Sequence, residues 1–495
     1  MICRVYYLAA SKIRSSLLIL AAACAGCASL PPVSKVPECR RLDAAARNKI
    51  GPALKQAIEL SLKLESQGTS DERVDALPEP SCPSALIFDI AHGYSCDTRW
   101  LSGVRVECTE DRLFVDDAYP SGRLPLSTEL LNDVCHAARS PWLRKVDMET
   151  GVRMPTKTSN EVGGLIPPLG WDNSDWMSEI NDATLGGSRK TDKVVAILDT
   201  EIVSHHEDLP SIERLKIRHR LNGRGQCQGN DCCEAAGDYT WSEDHATFVA
   251  GTIAAIRNQS SEDQTIDGLS EPAHMLAIDI FGTTNSCVLP TLMAAGLQCA
   301  LDRGAKIINI SAGDIATGSV PPDDLKHAMD NAAQSQALVV VAAGGIRGSV
   351  NLDTNRRWPA SYNTDSSLVV GSVSIGSESR IEYSFGPKTV DLIVPISGTQ
   401  VKSTYRCRSS GDACYAYYNG TSAAAAIVTG EAAALWGRPE FSNCNASQLR
   451  QILMKNAHAP NFPARWQISG LGGVLDLGFL GDNVLPDQCP PMVER

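Results

Sequence analysis

The chain of 495 residues has no excess of positive charge: 45 Lys and Arg face 57 Asp and Glu, a net charge of −12 at pH 7. Binding to a polyanion needs clustered cations that displace counterions, so nucleic acid is set aside as a partner. There is no paired CxxC set either. Cys227, Cys232 and the adjacent Cys233 lack both that spacing and a matching His pair, which argues against a structural zinc site. No internal repeat is visible. With 43% apolar and 21% charged residues, the composition is not that of a disordered chain, a coiled coil or a collagen. What remains is a soluble protein of two domains, long enough for a sizeable core.

The amino terminus is built for export. Residues 1–26 hold Arg4, Lys12 and Arg14 and no acid, then the apolar run from Ser16 to Ala23, then small residues. That run is too short to span a bilayer as a mature helix, so it reads as a secretory signal. Ala25-Gly26-Cys27 resembles a bacterial lipobox, in which Cys27 becomes the lipid-bearing first residue. Ala28 after that cysteine implies, by the same resemblance, the outer membrane of a Gram-negative cell, with the lipid at Cys27 as the only membrane attachment. An ordinary cleavage site with Cys27 as one more thiol is the alternative, because Cys24 stands where Leu is usual.

Cysteine usage agrees with export. Of 17 cysteines, setting aside Cys3, Cys24 and Cys27 leaves fourteen, an even number compatible with seven disulfides. A division of the chain near residue 165 puts five of them (Cys39, Cys82, Cys96, Cys108 and Cys135) before the cut and nine after it. Both counts are odd. If all fourteen pair, at least one bridge joins the two parts.

Residues 27–165 carry little recognisable chemistry and are expected to form a smaller, Cys-containing amino-terminal domain. Pro31, Pro32 and Pro37 suggest a tether, Leu42 to Leu64 has helical spacing, and the runs 104–108 and 113–115 suggest strands. A prodomain, a partner-binding module and a spacer all fit. The stretch Ile166 to Gly170 predicts a linker.

Beyond it, short β-branched runs alternate with Ala-rich helical stretches. Residues 193–198, 275–280, 306–310 and 337–341 predict buried strands, and the alternation implies a doubly wound α/β domain with a mostly parallel sheet over residues 166–480, followed by a tail of residues 481–495. In such sheets reactive groups gather at the carboxyl ends of strands. The first strand ends in Asp199-Thr200-Glu201, His245 opens a helix of small and apolar residues, and Asn419-Gly420-Thr421-Ser422 puts Ser422 at the start of another. Taken singly, these are a turn carboxylate, a structural His and an N-cap. Together they are what acyl transfer needs: Ser422 as nucleophile, His245 as its base, and Asp199 to hold the imidazole tautomer and stabilise the imidazolium.

The segments 195–200, 245–255 and 419–422 resemble, in content and in Asp-His-Ser order, the three signatures of the subtilisin-like serine peptidases. Weaker echoes lie between them: His206 to Leu209, Trp358-Pro359-Ala360 and Ile393-Val394-Pro395. The resemblance covers roughly residues 170–480. It implies a subtilisin-like fold and endopeptidase activity on protein or peptide substrates. Ser311, Ala312 and Gly313 would pair with extended substrate backbone, and Ala342, Ala343 and Gly344 would form one wall of the specificity pocket. It implies no required cofactor. Structural calcium is common in the family, but no acidic loop here is clear enough to assign a metal site.

The departures bear on activity. Ala246 and Glu201 stand where the family has Gly, and Ala426 replaces a Pro. Glu201 is expected to bring a second carboxylate near Asp199 and raise the pKa of His245. Gly345 aligns with the Asn that helps bind the tetrahedral oxyanion; losing one such donor costs about 10² to 10³ in turnover. The backbone N–H of Ser422 and the Thr421 hydroxyl remain as oxyanion donors, with Arg347 or Asn351 as loop residues able to substitute. The expectation is a slow or conditionally active peptidase, the alternative a subtilase-shaped module that binds peptides or a partner without cutting them.

Overall fold

The computed structural model describes residues 42–51, 54–55, 58–59, 84–92, 94, 105–119, 134–135, 137–150, 152–153, 190–227, 231–237, 245–256, 266–281, 287–313, 315, 321–345, 350–374, 384–397, 401–406, 414–418, 420–455, 473–474 and 489. The expected signal, Cys27, the proline tether, the linker from Ile166 to Gly170, Arg347 and Asn419 lie outside these residues, as does the tail apart from Cys489. The chain divides into two compact units. One holds residues 1–153 together with 219–230; the other holds 154–218 and 231–495.

The first unit has a short helix α1 (Ala44–Asn48) and strands β1 (Ser84–Ile90), β2 (Arg105–Cys108), β3 (Arg112–Tyr119), β4 (Leu143–Thr150) and β5 (Val152–Arg153). Four of them form an antiparallel sheet in the order β2-β3-β1-β4. Asp43 caps α1, accepting the Ala46 N–H at 2.7 Å, which satisfies one of the donors a helix start leaves over. Leu86, Phe88, Leu113, Val115 and Val146 of the sheet pack with Leu42, Ala46, Leu54, Cys135 and Trp142 in one apolar core.

The second unit contains β6 (Lys190–Asp199), β7 (Ile212–Ile217), β8 (Cys233–Ala235), β9 (Glu271–Asp279), β10 (Cys287–Val288), β11 (Ala305–Ile310), β12 (Leu338–Ala342), β13 (Ser367–Ser374), β14 (Leu392–Ser397), β15 (Val401–Thr404), β16 (Tyr415–Tyr418) and β17 (Gly473–Val474). Its helices are α2 (His245–Ala254), α3 (Pro290–Asp302), α4 (Asp323–Gln334), α5 (Thr421–Trp436) and α6 (Ala446–Lys455). Nine strands form one sheet in the order β17-β14-β13-β12-β11-β6-β9-β7-β8. Every pairing in it is parallel except that of β7 with β8. β15 and β16 make a separate antiparallel pair.

Alternate side chains of the central strands point to opposite faces, and both faces are covered. Val195, Ile197, Ile307 and Val340 share a core with Phe248 and Val249 of α2 and with most of α5. On the other face Leu198 and Ile280 lie beneath Gly296 of α3, where an added Cβ would come within 2.5 Å of Ile280. Burying each large aliphatic side chain contributes about 1.5–3 kcal/mol. This explains why the strands read as β-branched runs rather than as alternating patterns. Disulfides brace the unit: among them, Cys233 with Cys299 ties the edge strand β8 to α3, and Cys444 with Cys489 fastens a residue of the expected tail beside α6.

Candidate active site

The central strands end side by side. β6 ends at Asp199, β11 runs out into Ser311-Ala312-Gly313, and β12 into Ala343-Gly344-Gly345. Asp199 is fully buried, and its carboxylate meets His245 Nδ1 at 2.8 and 2.9 Å. The carboxylate also accepts the Thr200 N–H at 2.7 Å, so the turn-forming role of an Asp at a strand end and its contact with the imidazole coexist. Thr200 Oγ1 accepts the Ala246 N–H at 3.1 Å, which satisfies a donor in the first turn of α2 and holds the helix bearing His245 against the strand bearing Asp199.

Ser422 is set out differently. All other residues of α5 are buried; Ser422 is not. The helix starts after Gly420, whose φ of +95° is left-handed backbone that favours glycine. The first intrahelical bond runs from Ala424 N–H to the Gly420 carbonyl, so the N–H groups of Thr421, Ser422 and Ala423 belong to the set that a helix start leaves without intrahelical acceptors. The Ser422 hydroxyl donates to the Ser311 carbonyl at 3.1 Å, and no hydrogen bond joins it to His245. In return the Ser311 hydroxyl donates to the Ser422 carbonyl at 3.2 Å. Asn309 Nδ2 donates to Ser311 Oγ at 2.8 Å and Asn309 Oδ1 accepts from the Thr429 hydroxyl at 2.9 Å, closing a chain of polar contacts between β11 and α5.

The departures noted in the sequence take definite form. Glu201 does not crowd Asp199 as an uncompensated charge: its carboxylate takes the Arg214 guanidinium at 3.1 Å, both side chains largely covered. Ala246 is fully buried and packs in the main core, so its methyl is accommodated. A close approach falls at Gly251 of the same helix, where a Cβ would lie 2.2 Å from Thr404 Oγ1. Gly345 has a φ of +114° and offers no side-chain amide. Gly344, at +81°, donates its N–H to Thr421 Oγ1 at 3.1 Å and accepts the Ser384 N–H at 3.1 Å. The Thr421 hydroxyl thus accepts from Gly344 and keeps its own hydrogen to give. Asn351 opens the turn that follows, its side chain accepting the Asp353 N–H at 3.0 Å, a local turn role rather than one toward Ser422.

Ser311, Ala312, Ala342, Ala343 and Gly344 are buried and Gly313 is half-buried; Ser311 to Gly313 follow β11, which lies between β6 and β12, and Ala342 to Gly344 close β12 beside it. Four participating residues were not singled out from the sequence. Thr200 and the Asn309/Thr429 pair lie inside quoted or adjacent segments, but their roles rest on contacts between elements far apart in the chain. Tyr418, four residues before Ser422, stands edge-on to His245 with ring centroids 6.3 Å apart and packs on Phe248 at 4.3 Å. Among the described residues no group of three or more His, Cys, Asp or Glu side chains is arranged to hold a metal ion.

Comparison with known proteins gives this arrangement its class. Residues 190–474 match the subtilase family, peptidase S8, and the chain belongs to it. Subtilisin DY of Bacillus licheniformis is 30% identical over 264 residues, 53% of this chain and 82% of that protein. The major intracellular serine protease of Bacillus subtilis (strain 168) is 32% identical over 248 residues, 50% of this chain and 69% of that one. Among solved structures, fervidolysin from Fervidobacterium pennivorans shares the fold with a TM-score of 0.52 at 21% identity, covering 82% of this chain and 61% of that chain. The chain is thus a subtilisin-like protein of a serine-type peptidase family. Among the described residues, no helix is long and apolar enough to cross a membrane.

Proposed function

We propose that this protein is an exported serine endopeptidase working through Asp199, His245 and Ser422, anchored at the cell envelope by lipid on Cys27. The observation that carries the catalytic part is the pairing of a buried carboxylate with His245 Nδ1 at 2.8 Å, beside a helix whose one unburied residue is a serine. A buried Asp so placed fixes the imidazole with its proton on Nδ1 and leaves Nε2 as the base.

In this reading a peptide lies as an added strand along Ser311 to Gly313. The Ser422 hydroxyl leaves the Ser311 carbonyl by rotation about its Cα–Cβ bond and gives its proton to His245 Nε2 as its oxygen attacks the scissile carbonyl. The oxyanion is met by the Ser422 N–H at the helix start, where the unpaired donors and the helix dipole favour negative charge, and by the Thr421 hydroxyl. The C–N bond breaks as the imidazolium gives its proton to the leaving amine. Water, deprotonated by the same base, then releases the acyl group. The mechanism calls for no cofactor.

A second reading, a binding module of the same fold, is favoured by two observations: Ser422 Oγ is held by a carbonyl, and Gly345 supplies no amide. Labelling with a fluorophosphonate separates the two. Covalent modification of the folded, disulfide-intact protein that disappears in Ser422→Ala supports the peptidase; a folded protein that takes no label refutes it.

A further inference from the structure

The first unit is not made from one stretch of chain. Residues 219–230, which connect β7 to β8 in the sequence of the peptidase unit, fold with residues 1–153. Their anchoring is specific. The Arg220 N–H donates to Glu107 Oε1 at 2.7 Å, the Arg220 guanidinium lies over the Phe114 ring at 5.0 Å, and the residue is 1% exposed. The Gly223 N–H donates to Asp111 Oδ1 at 3.0 Å, and a Cβ at Gly223 would stand 2.8 Å from the same carboxylate. Leu221 bridges to Cys227, which is buried and disulfide-bonded.

Cysteine parity changes when the chain is divided by folding unit instead of by sequence position. Past Cys27, the first unit's sequence holds Cys39, Cys82, Cys96, Cys108, Cys135 and Cys227, an even set. The second holds Cys232, Cys233, Cys287, Cys299, Cys407, Cys414, Cys444 and Cys489, also even. Two of its bridges, Cys233 with Cys299 and Cys444 with Cys489, close within it. Cys227 is the residue whose placement evens both sets.

The geometry points to a strap: residues 219–230 hold the amino-terminal unit on the peptidase chain, and a disulfide from Cys227 to a cysteine among residues 39–135 makes the attachment covalent. The unit is then a permanent module. A cut anywhere between residues 154 and 189 leaves it in place, because the strap belongs by sequence to the far side of the cut. That distinguishes it from a prodomain shed on maturation, and it holds whether or not Ser422 is active.

The test uses the full chain in a Ser422→Ala background, with the recognition sequence of a site-specific protease inserted after Gly164. After cutting, a denaturing gel without reductant is expected to show one species of full mass, resolving into two fragments only when thiol is added. Peptide mapping of unreduced protein is expected to recover Cys227 joined to a peptide bearing Cys39, Cys82, Cys96, Cys108 or Cys135. Cys227→Ser is expected to let the fragments part on the denaturing gel without reductant. Fragments that separate without reductant in the chain that retains Cys227, or Cys227 found joined to Cys232 or any later cysteine, overturn the proposal. The mapping needs no cysteine variant, so a misfolded Cys227→Ser protein does not shelter it.

Discussion

The two halves of the site are finished to different degrees. On the side of β6 and α2, the carboxylate of Asp199 is buried and paired with His245 at 2.8 Å, while Thr200 ties strand and helix together. On the side of β11, β12 and α5, the hydroxyl proposed as nucleophile rests on a backbone carbonyl, and the position that the family resemblance assigns to an oxyanion amide is a glycine in left-handed backbone. The contrast locates the barrier. In the proposed mechanism a base that is already oriented would gain little by further refinement; a nucleophile that must turn, and a charge that develops with one donor fewer, would set the rate.

The largest effect is expected at the nucleophile itself. Ser422→Ala should lower peptide hydrolysis by about 10⁶-fold, the scale on which losing the serine of such a triad falls. Burst labelling and turnover, measured on protein of unchanged circular dichroism, check it; residual hydrolysis near the parent rate would mean that another group attacks. Asp199→Asn comes next. It keeps the shape but offers the imidazole the wrong partner, and about 10⁴-fold is expected in kcat. A loss much smaller than that would show the well-finished half to be structural. Gly345→Asn probes the poor half by adding what it lacks. The donor contributes roughly 2.7–4 kcal/mol to the transition state, so a gain of up to about 10²- to 10³-fold in kcat is expected, while the non-glycine residue at φ +114° costs about 1–3 kcal/mol of folding stability. No gain, in a variant that folds, would mean that the oxyanion is already served.

How much of this could be seen beforehand depends on range. The β-branched runs gave the central strands within a few residues, because a sheet buried on both faces leaves no other use for them. Strand 306–310 matches β11, which runs from Ala305 to Ile310, whereas 275–280 caught only the inner part of β9, which begins at Glu271 among more exposed residues. Asp199, His245 and Ser422 were legible because each sits at the end of an element with its own local pattern. The parking of Ser422 on Ser311 was not. It depends on how β11 and α5, more than a hundred residues apart in the chain, come into register. The pairing of Glu201 with Arg214 was hidden for a related reason: the sequence shows a second acid near Asp199 but not which cation β7 will deliver. The membership of 219–230 in the amino-terminal unit has no sequence signal at all beyond an odd cysteine count on each side of the linker.

The smallest effect concerns the helix that carries the nucleophile. α2 is lined with small and apolar residues, but α5 holds Glu431 fully buried, and neither of its carboxylate oxygens has a hydrogen-bond partner. Desolvation pushes its pKa well above the ordinary 4.5, so the folded protein keeps a proton that the unfolded chain gives up. The sign follows from that difference. Below the unfolded value both states are protonated and pH has no effect through this group. As pH rises from there toward the folded value, the unfolded state binds fewer protons, and stability falls by up to about 1.4 kcal/mol per pH unit. Glu431→Gln keeps the shape and cannot ionise, so it should match the parent at acid pH and become progressively more stable relative to it as pH is raised, read from chemical denaturation at matched pH values. Because Gln also leaves a buried polar group without a partner, the slope of the difference carries the test and its offset does not. A difference that stays flat with pH would place a charged or partnered carboxylate in the folded helix, and the two halves of the site would then rest on equally settled supports.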